Sequence, residues 1–159
     1  MLERLLPKTI DNRFRGHRVA LWMFYPITLI TIVRSLIHVF RSDGGAQSIA
    51  TIPLDGFTEA GAAAVVAVFA VFAQWGLSQL LMGGLYALVS FRYRAMIPLM
   101  YVLILIEYAG RLAVGAMKPI VTIDTAPGGP GSIVVVVMAI TCIVLCLRGE
   151  GGSVKRETA

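Results

Sequence analysis

Charge is what this chain has least of. Asp, Glu, Lys and Arg together are 14% of its 159 residues, where a soluble domain carries about 25%. Two cysteines and two histidines are too few for a disulfide framework or a His/Cys metal site. The chain has no GxSxG, HExxH, Walker A or GxGxxG pattern, and no carboxylates paired at catalytic spacing. No motif points to an enzyme. The only intramolecular pair of cysteines, Cys142 and Cys146, lies one helical turn apart. That geometry disfavours a disulfide, and the two read as small apolar filler.

Apolar residues fill the place of charge. They make up 57% of the chain, and mean hydropathy is +0.80, which leaves the soluble class for the membrane-integral one. A span needs roughly 20 mainly apolar residues, and four stretches qualify. Val19 to Phe40 carries Arg34 and His38, with a kink expected at Pro26. Gly61 to Leu88 is long enough to demand tilt or an interfacial end. Ala95 to Met117 has Pro98 in its first turn, where a missing N–H does little harm. Ser132 to Leu147 spans only about 24 Å as a helix. Its β-branched run resembles a strand, but a lone strand in lipid leaves its backbone unpaired, so helix is expected. The first block exceeds the roughly 7–15 apolar residues of a signal peptide and reads as an uncleaved span. The expected fold is therefore all-α, a single transmembrane domain forming a four-helix bundle, with a flexible tail at residues 149–159.

Four spans place the N-terminus, the FRYRA loop and the C-terminus on one face. That face holds ten of the fourteen Lys and Arg against four Asp and Glu. The basic excess marks the cytoplasmic side, so both termini are expected inside a bacterial cytoplasmic (inner) membrane. Contact with anionic lipid accounts for the pI of about 9.6 without nucleic acid. Trp22, Tyr25, Phe91 and Tyr93 read as an aromatic belt at the same level. The segment before the first span, with Leu2, Leu5 and Leu6 followed by Pro7, reads as lying on that leaflet. Residues 42–60 and 118–131 form the two outer connections. Both carry extended-looking segments, SIATIPLDGF and PIVTIDTAPGGPG, which are expected to meet as a small β cap or to remain separate loops. Ser132 reads as the N-cap of the last helix.

The informative residues are the charges inside the apolar blocks. Glu107 and Arg111 stand i and i+4, hence on one helix face. Each costs about 2.5–3.5 kcal/mol alone at mid-span, so both are expected to point into the bundle. Arg34 and His38 repeat that spacing at similar depth in the first span. On the second, Ala60, Ala63, Ala67, Ala70 and Gln74 make a small-residue stripe suited to close helix approach. Gln74 is thus expected at the packing face, and Gln79 on another seam. Tyr101 and Tyr108 share one side of the third helix. The candidate site is therefore Arg34, His38, Gln74, Glu107 and Arg111. Two guanidiniums against one carboxylate leave a positive charge to be balanced by Asp55, Glu59 or Asp124, by freed carbonyls, or by a bound anion or lipid headgroup. Either Glu107 and Arg111 are a satisfied pair fixing helix register, with Arg34 snorkelling outward, or the cluster takes a ligand. His38 reads as a packing or interfacial residue, with pH sensing as the alternative.

The runs EYAGRLAVGAMKP and RYRAMIPLMY, including Arg111, Gly115 and Lys118 as R-x-x-x-G-x-x-K, resemble the DoxX-like small four-helix bacterial membrane proteins. That resemblance implies a four-helix bundle and, for some members, an accessory role in redox or sulfur chemistry. Three functions are in contention. The first is a non-enzymatic accessory or assembly subunit that associates with itself or a larger membrane complex. The second is a carrier or binder of an anion or lipid headgroup at the outer Arg/His/Glu cluster. The third is a quinone-linked redox accessory. No resident cofactor is implied beyond a bound lipid or quinone, and the bilayer is the expected surrounding.

Overall fold

The computed structural model describes residues 2–55 and 59–148, without the side chains of Leu2, Arg4, Glu59 and Ala60. A short helix α1, Leu2–Leu5, precedes four long ones: α2, Arg18–Phe40; α3, Glu59–Arg92; α4, Ile97–Met117; and α5, Gly128–Leu147. All four are long and apolar enough to cross a membrane. The expected tail at 149–159 lies outside the described residues.

The chain forms two helical hairpins set against each other. α2 packs along α3 and α4 along α5, with lighter contact between α2 and α5. α2 runs unbroken through Pro26. Its close approach to α3 depends on two glycines one heptad apart. A Cβ on Gly76 would fall 2.6 Å from the Cβ of His38, and one on Gly83 would fall 2.8 Å from Cγ1 of Ile32.

This packing corrects the expected role of the alanine stripe. Ala63, Ala67, Ala70 and Gln74 are all exposed, on the side of α3 turned away from α2. The face that packs carries Gly76, Gln79, Gly83, Tyr86 and Ser90, all buried. Glycine brings the backbones closer than alanine does, so it takes the tight seam.

The apolar core occupies the half of the bundle nearer the termini. Phe24 of α2 meets the rings of Tyr86 and Tyr101 edge-on, at centroid separations of 5.7 and 5.5 Å. Tyr101 donates its hydroxyl to the Ala20 carbonyl at 2.6 Å, tying α4 to α2. Ile97, Met100, Ile104, Val89 and Ala139 complete the layer with Cys142 and Cys146. Both thiols are free and buried, as expected of filler. The segment before α2 folds beneath this core: Ala95 N–H donates to the Asp11 carbonyl, and His17 N–H to the Leu145 carbonyl. In that segment the Arg15 guanidinium and the Arg13 N–H hold the Asp11 carboxyl below the usual carboxylate range.

Two helices differ in their bounds from expectation. α5 starts four residues before the expected Ser132, giving 20 residues and about 30 Å. Pro130 is accommodated because N–H groups of a first turn have no helical acceptor. Ser132 is therefore not the N-cap. Its hydroxyl donates back to the Gly128 carbonyl at 2.6 Å from inside the helix. α3 runs 34 residues, about 51 Å, and its first turns extend beyond the end of α2 alongside the loop that follows α2.

Of the two arrangements expected of the outer connections, the β cap is corrected, because the described residues contain no strand. The two connections do meet, through Ile123 N–H to the Thr51 carbonyl at 2.9 Å and the Thr51 hydroxyl to the Asp124 carbonyl at 2.9 Å. Residues 42–50 instead coil into successive turns around the Asp43 carboxylate. It accepts N–H bonds from Gly45, Gln47 and Ser48. Burial pushes this carboxyl up, but those bonds outweigh it and hold the pKa at about 2. A ladder would leave that anion without its donors, so the turns prevail.

Candidate functional site

The half of the bundle nearer the loops carries charged side chains among its rings, where the other half is an apolar core of aliphatic and aromatic residues. Arg34 lies six residues before the end of α2 and Arg111 six before the end of α4, each about 9 Å from its helix terminus. Antiparallel packing of α3 brings Trp75 and Gln79 to the same level. Arg34 donates to Gln79 Oε1 at 3.0 Å. Arg111 is paired with Glu107 through Nε, at 3.0 Å from Oε1, and through a second, shorter bond from Nη2.

Two aromatic rings hold the guanidiniums together. Arg111 lies 4.7 Å from the Trp75 centroid and 4.9 Å from that of Tyr108. Arg34 lies 5.6 and 5.8 Å from the same rings. Ring faces attract cations, which offsets part of the repulsion between two like charges sharing one seam. His38 is 3% exposed and stacks near Trp75 at 4.8 Å. Its Nδ1 donates to the Gly44 carbonyl at 2.6 Å. A carbonyl only accepts, so Nδ1 carries the proton. This bond pins the loop after α2 over the site, where Gly44 and Gly45 adopt positive φ of 58° and 79°.

These residues surround a cavity of about 370 Å³. Arg34, His38, Trp75, Tyr108 and Arg111 line its charged and aromatic side, and the first turn of α5 with Ile49 and Ala50 borders the loop end. The dimensions suit a small-ligand site: mostly apolar, with few placed polar groups.

Of the five expected site residues, Arg34, His38, Glu107 and Arg111 converge. Gln74 does not, being exposed on the far side of α3. Its place is taken by Gln79, buried and bonded to Arg34. Trp75, the ring both guanidiniums share, was not singled out by sequence reasoning. The signal that finds this face is the spacing Gly76, Gln79, Gly83, Tyr86, Ser90, alternately three and four residues. Tyr108 lines the cavity, while Tyr101 belongs to the core.

The charge account also resolves. Among the described residues Arg34 has no carboxylate partner, and its Nε is buried without any hydrogen-bond acceptor. Asp55 instead accepts from Gln47, and the Asp124 carboxylate accepts from the Thr125 N–H. Glu59's side chain lies outside the described residues. Arg111 is neutralised by Glu107; Arg34 is left with a neutral amide and two ring faces. No protein-family model, curated protein or solved structure matches this chain.

Proposed function

We propose that this chain is a four-span membrane protein, both termini cytoplasmic, that binds an anionic group in the outer half of the bilayer at the Arg34 and Arg111 cavity. The observation that carries this reading is the Arg34 guanidinium. It is half-buried, uncompensated by any described carboxylate, unpaired at Nε, and on the wall of a cavity. Isolated charge in low dielectric is costly, and an anion seated against it removes that cost. The role is binding or carriage, without bond chemistry. A neutral quinone would fit the aromatic wall but leave the charge unbalanced, so the geometry favours the anion. Native mass spectrometry of the detergent-extracted protein tests this. An anionic adduct on wild type that is missing from Arg34→Gln is expected. Bare protein in both contradicts it.

A second reading, as an assembly subunit resembling the DoxX-like proteins, rests on a separate observation. The Ala63, Ala67, Ala70 and Gln74 face of α3 is exposed, and small residues allow close helix approach. Native size in mild detergent discriminates: a strictly monomeric particle argues against it.

A further inference from the structure

We infer that the anion is the headgroup of a single-chain amphiphile, a carboxylate or phosphate, which enters from the bilayer through the flank between α2 and α5. This deepens the anion-binding reading and rests on it.

The size of the cavity is the first reason. At about 30 Å³ per water-sized group, 370 Å³ holds about a dozen non-hydrogen atoms. That is several more than a bare carboxylate or phosphate supplies. The walls are the second. Away from the guanidiniums the lining is Ile30, Ile49, Phe72, Pro127 and Val135. A small hydrated anion filling this space would surrender its water to side chains that return no hydrogen bond. A hydrocarbon chain loses nothing there.

The opening is the third. Ile30 lines the cavity and is also 63% exposed, so the cavity reaches the surface of α2 at that point. Val135 of α5 lines the same side, and its neighbour Val134 is 64% exposed. In a bilayer these exposed side chains face acyl chains. At the loop end Ile49, Ala50 and Ala126 are half-buried, while Pro127 and Gly128 are exposed. A ligand arriving from the flank needs an apolar chain, and its charged end meets Arg34 inside. Gly128 and Ser132 in the first turn of α5 border the same space, adding the positive end of a helix dipole. Among the described residues no other place combines a half-buried charge without a carboxylate partner, an apolar chamber and an exposed rim.

Trp75 provides the reporter. The chain has two tryptophans, and Trp22 is 69% exposed and outside the cavity. A Trp22→Phe protein in detergent therefore reports from the cavity wall alone. The probe is 2-bromododecanoate, whose bromine, next to the carboxylate, quenches nearby indole. Saturable quenching is expected, reversed by dodecanoate or dodecyl phosphate. Acetate, inorganic phosphate and dodecanol should require about 100-fold higher concentration. Arg34→Gln should weaken the probe about tenfold or more, the loss of one charge-assisted hydrogen bond. Val135→Phe, which fills the flank opening, should weaken it similarly and serves if Arg34→Gln does not fold.

The failures are distinguishable. Displacement by acetate or inorganic phosphate as readily as by dodecanoate retains the anion site and overturns the amphiphile. Dodecanol competing equally, with Arg34→Gln unchanged, overturns the anion reading as well. Unchanged binding in Val135→Phe overturns the flank route, and absence of saturable quenching overturns the proposal outright.

Discussion

Arg111→Gln strands the Glu107 carboxylate inside the seam, and the structure sets the size of the penalty. The two side chains are 23% and 21% exposed. The pair therefore lies between an exposed i,i+4 pair, about 0.3–0.5 kcal/mol, and a stranded fully buried charge, about 3–5 kcal/mol. About 2 kcal/mol is the intermediate value. Losing the guanidinium from the Trp75 and Tyr108 faces removes roughly 1 kcal/mol more, so Arg111→Gln costs about 3 kcal/mol. Glu107→Gln leaves two unbalanced guanidiniums on the shared rings and costs about 2 kcal/mol. The double variant strands no charge, and its cost returns to roughly the 1 kcal/mol of the ring contacts. The cycle is strongly non-additive, by about 4 kcal/mol. It is measured by unfolding in mixed micelles of graded denaturing detergent, read by tryptophan emission. A coupling below about 0.5 kcal/mol, the value of a solvated pair, would refute a sheltered seam.

Other outcomes follow from the packing and the loop. Gly76→Ala drives a methyl into His38 and should cost about 1–3 kcal/mol in the same assay. Gly84→Ala, whose Cβ meets nothing within 4 Å, should be neutral or stabilise by up to about 1 kcal/mol. Tyr101→Phe removes the tie to the Ala20 carbonyl, which keeps its helical donor, and should cost about 0.5–1.5 kcal/mol. Asp43 has a lowered pKa, about 2 against 3.8 for a free Asp. Its stabilisation of about 2 kcal/mol is thus complete above about pH 4 and is lost as pH falls toward 2. Wild type should exceed Asp43→Asn in stability at pH 6, and the gap should close on acidification; a gap that persists at pH 2 would contradict this origin.

The four long helices were legible because length and apolarity alone define them, and α2 and α4 match their expected ranges within a few residues. Which face of α3 packs was not legible. In a soluble helix polarity marks the outside, whereas here both sides are apolar and the difference is between alanine and glycine. Steric closeness at Gly76 and Gly83, seven residues apart, decides it, and this carried Gln79 into the seam in place of Gln74. The Gly-Gly-Pro-Gly run reads as a turn because glycine and proline break helices in water, yet at a helix start their missing donor and lost propensity matter little. The convergence of Arg34, His38, Glu107 and Arg111 was legible, since i,i+4 spacing at equal depth in two helices leaves few other arrangements. Their shared contact with Trp75 was not, because nothing in the local pattern distinguishes a cavity-lining tryptophan from an interfacial one.

The most direct test of the account is a density map of the full-length protein held in native lipid. It should show an elongated feature between α2 and α5 that ends within hydrogen-bonding distance of the Arg34 guanidinium, opposite Arg111. A guanidinium of Arg34 turned outward among acyl chains, with the space beside Trp75 collapsed, would contradict it.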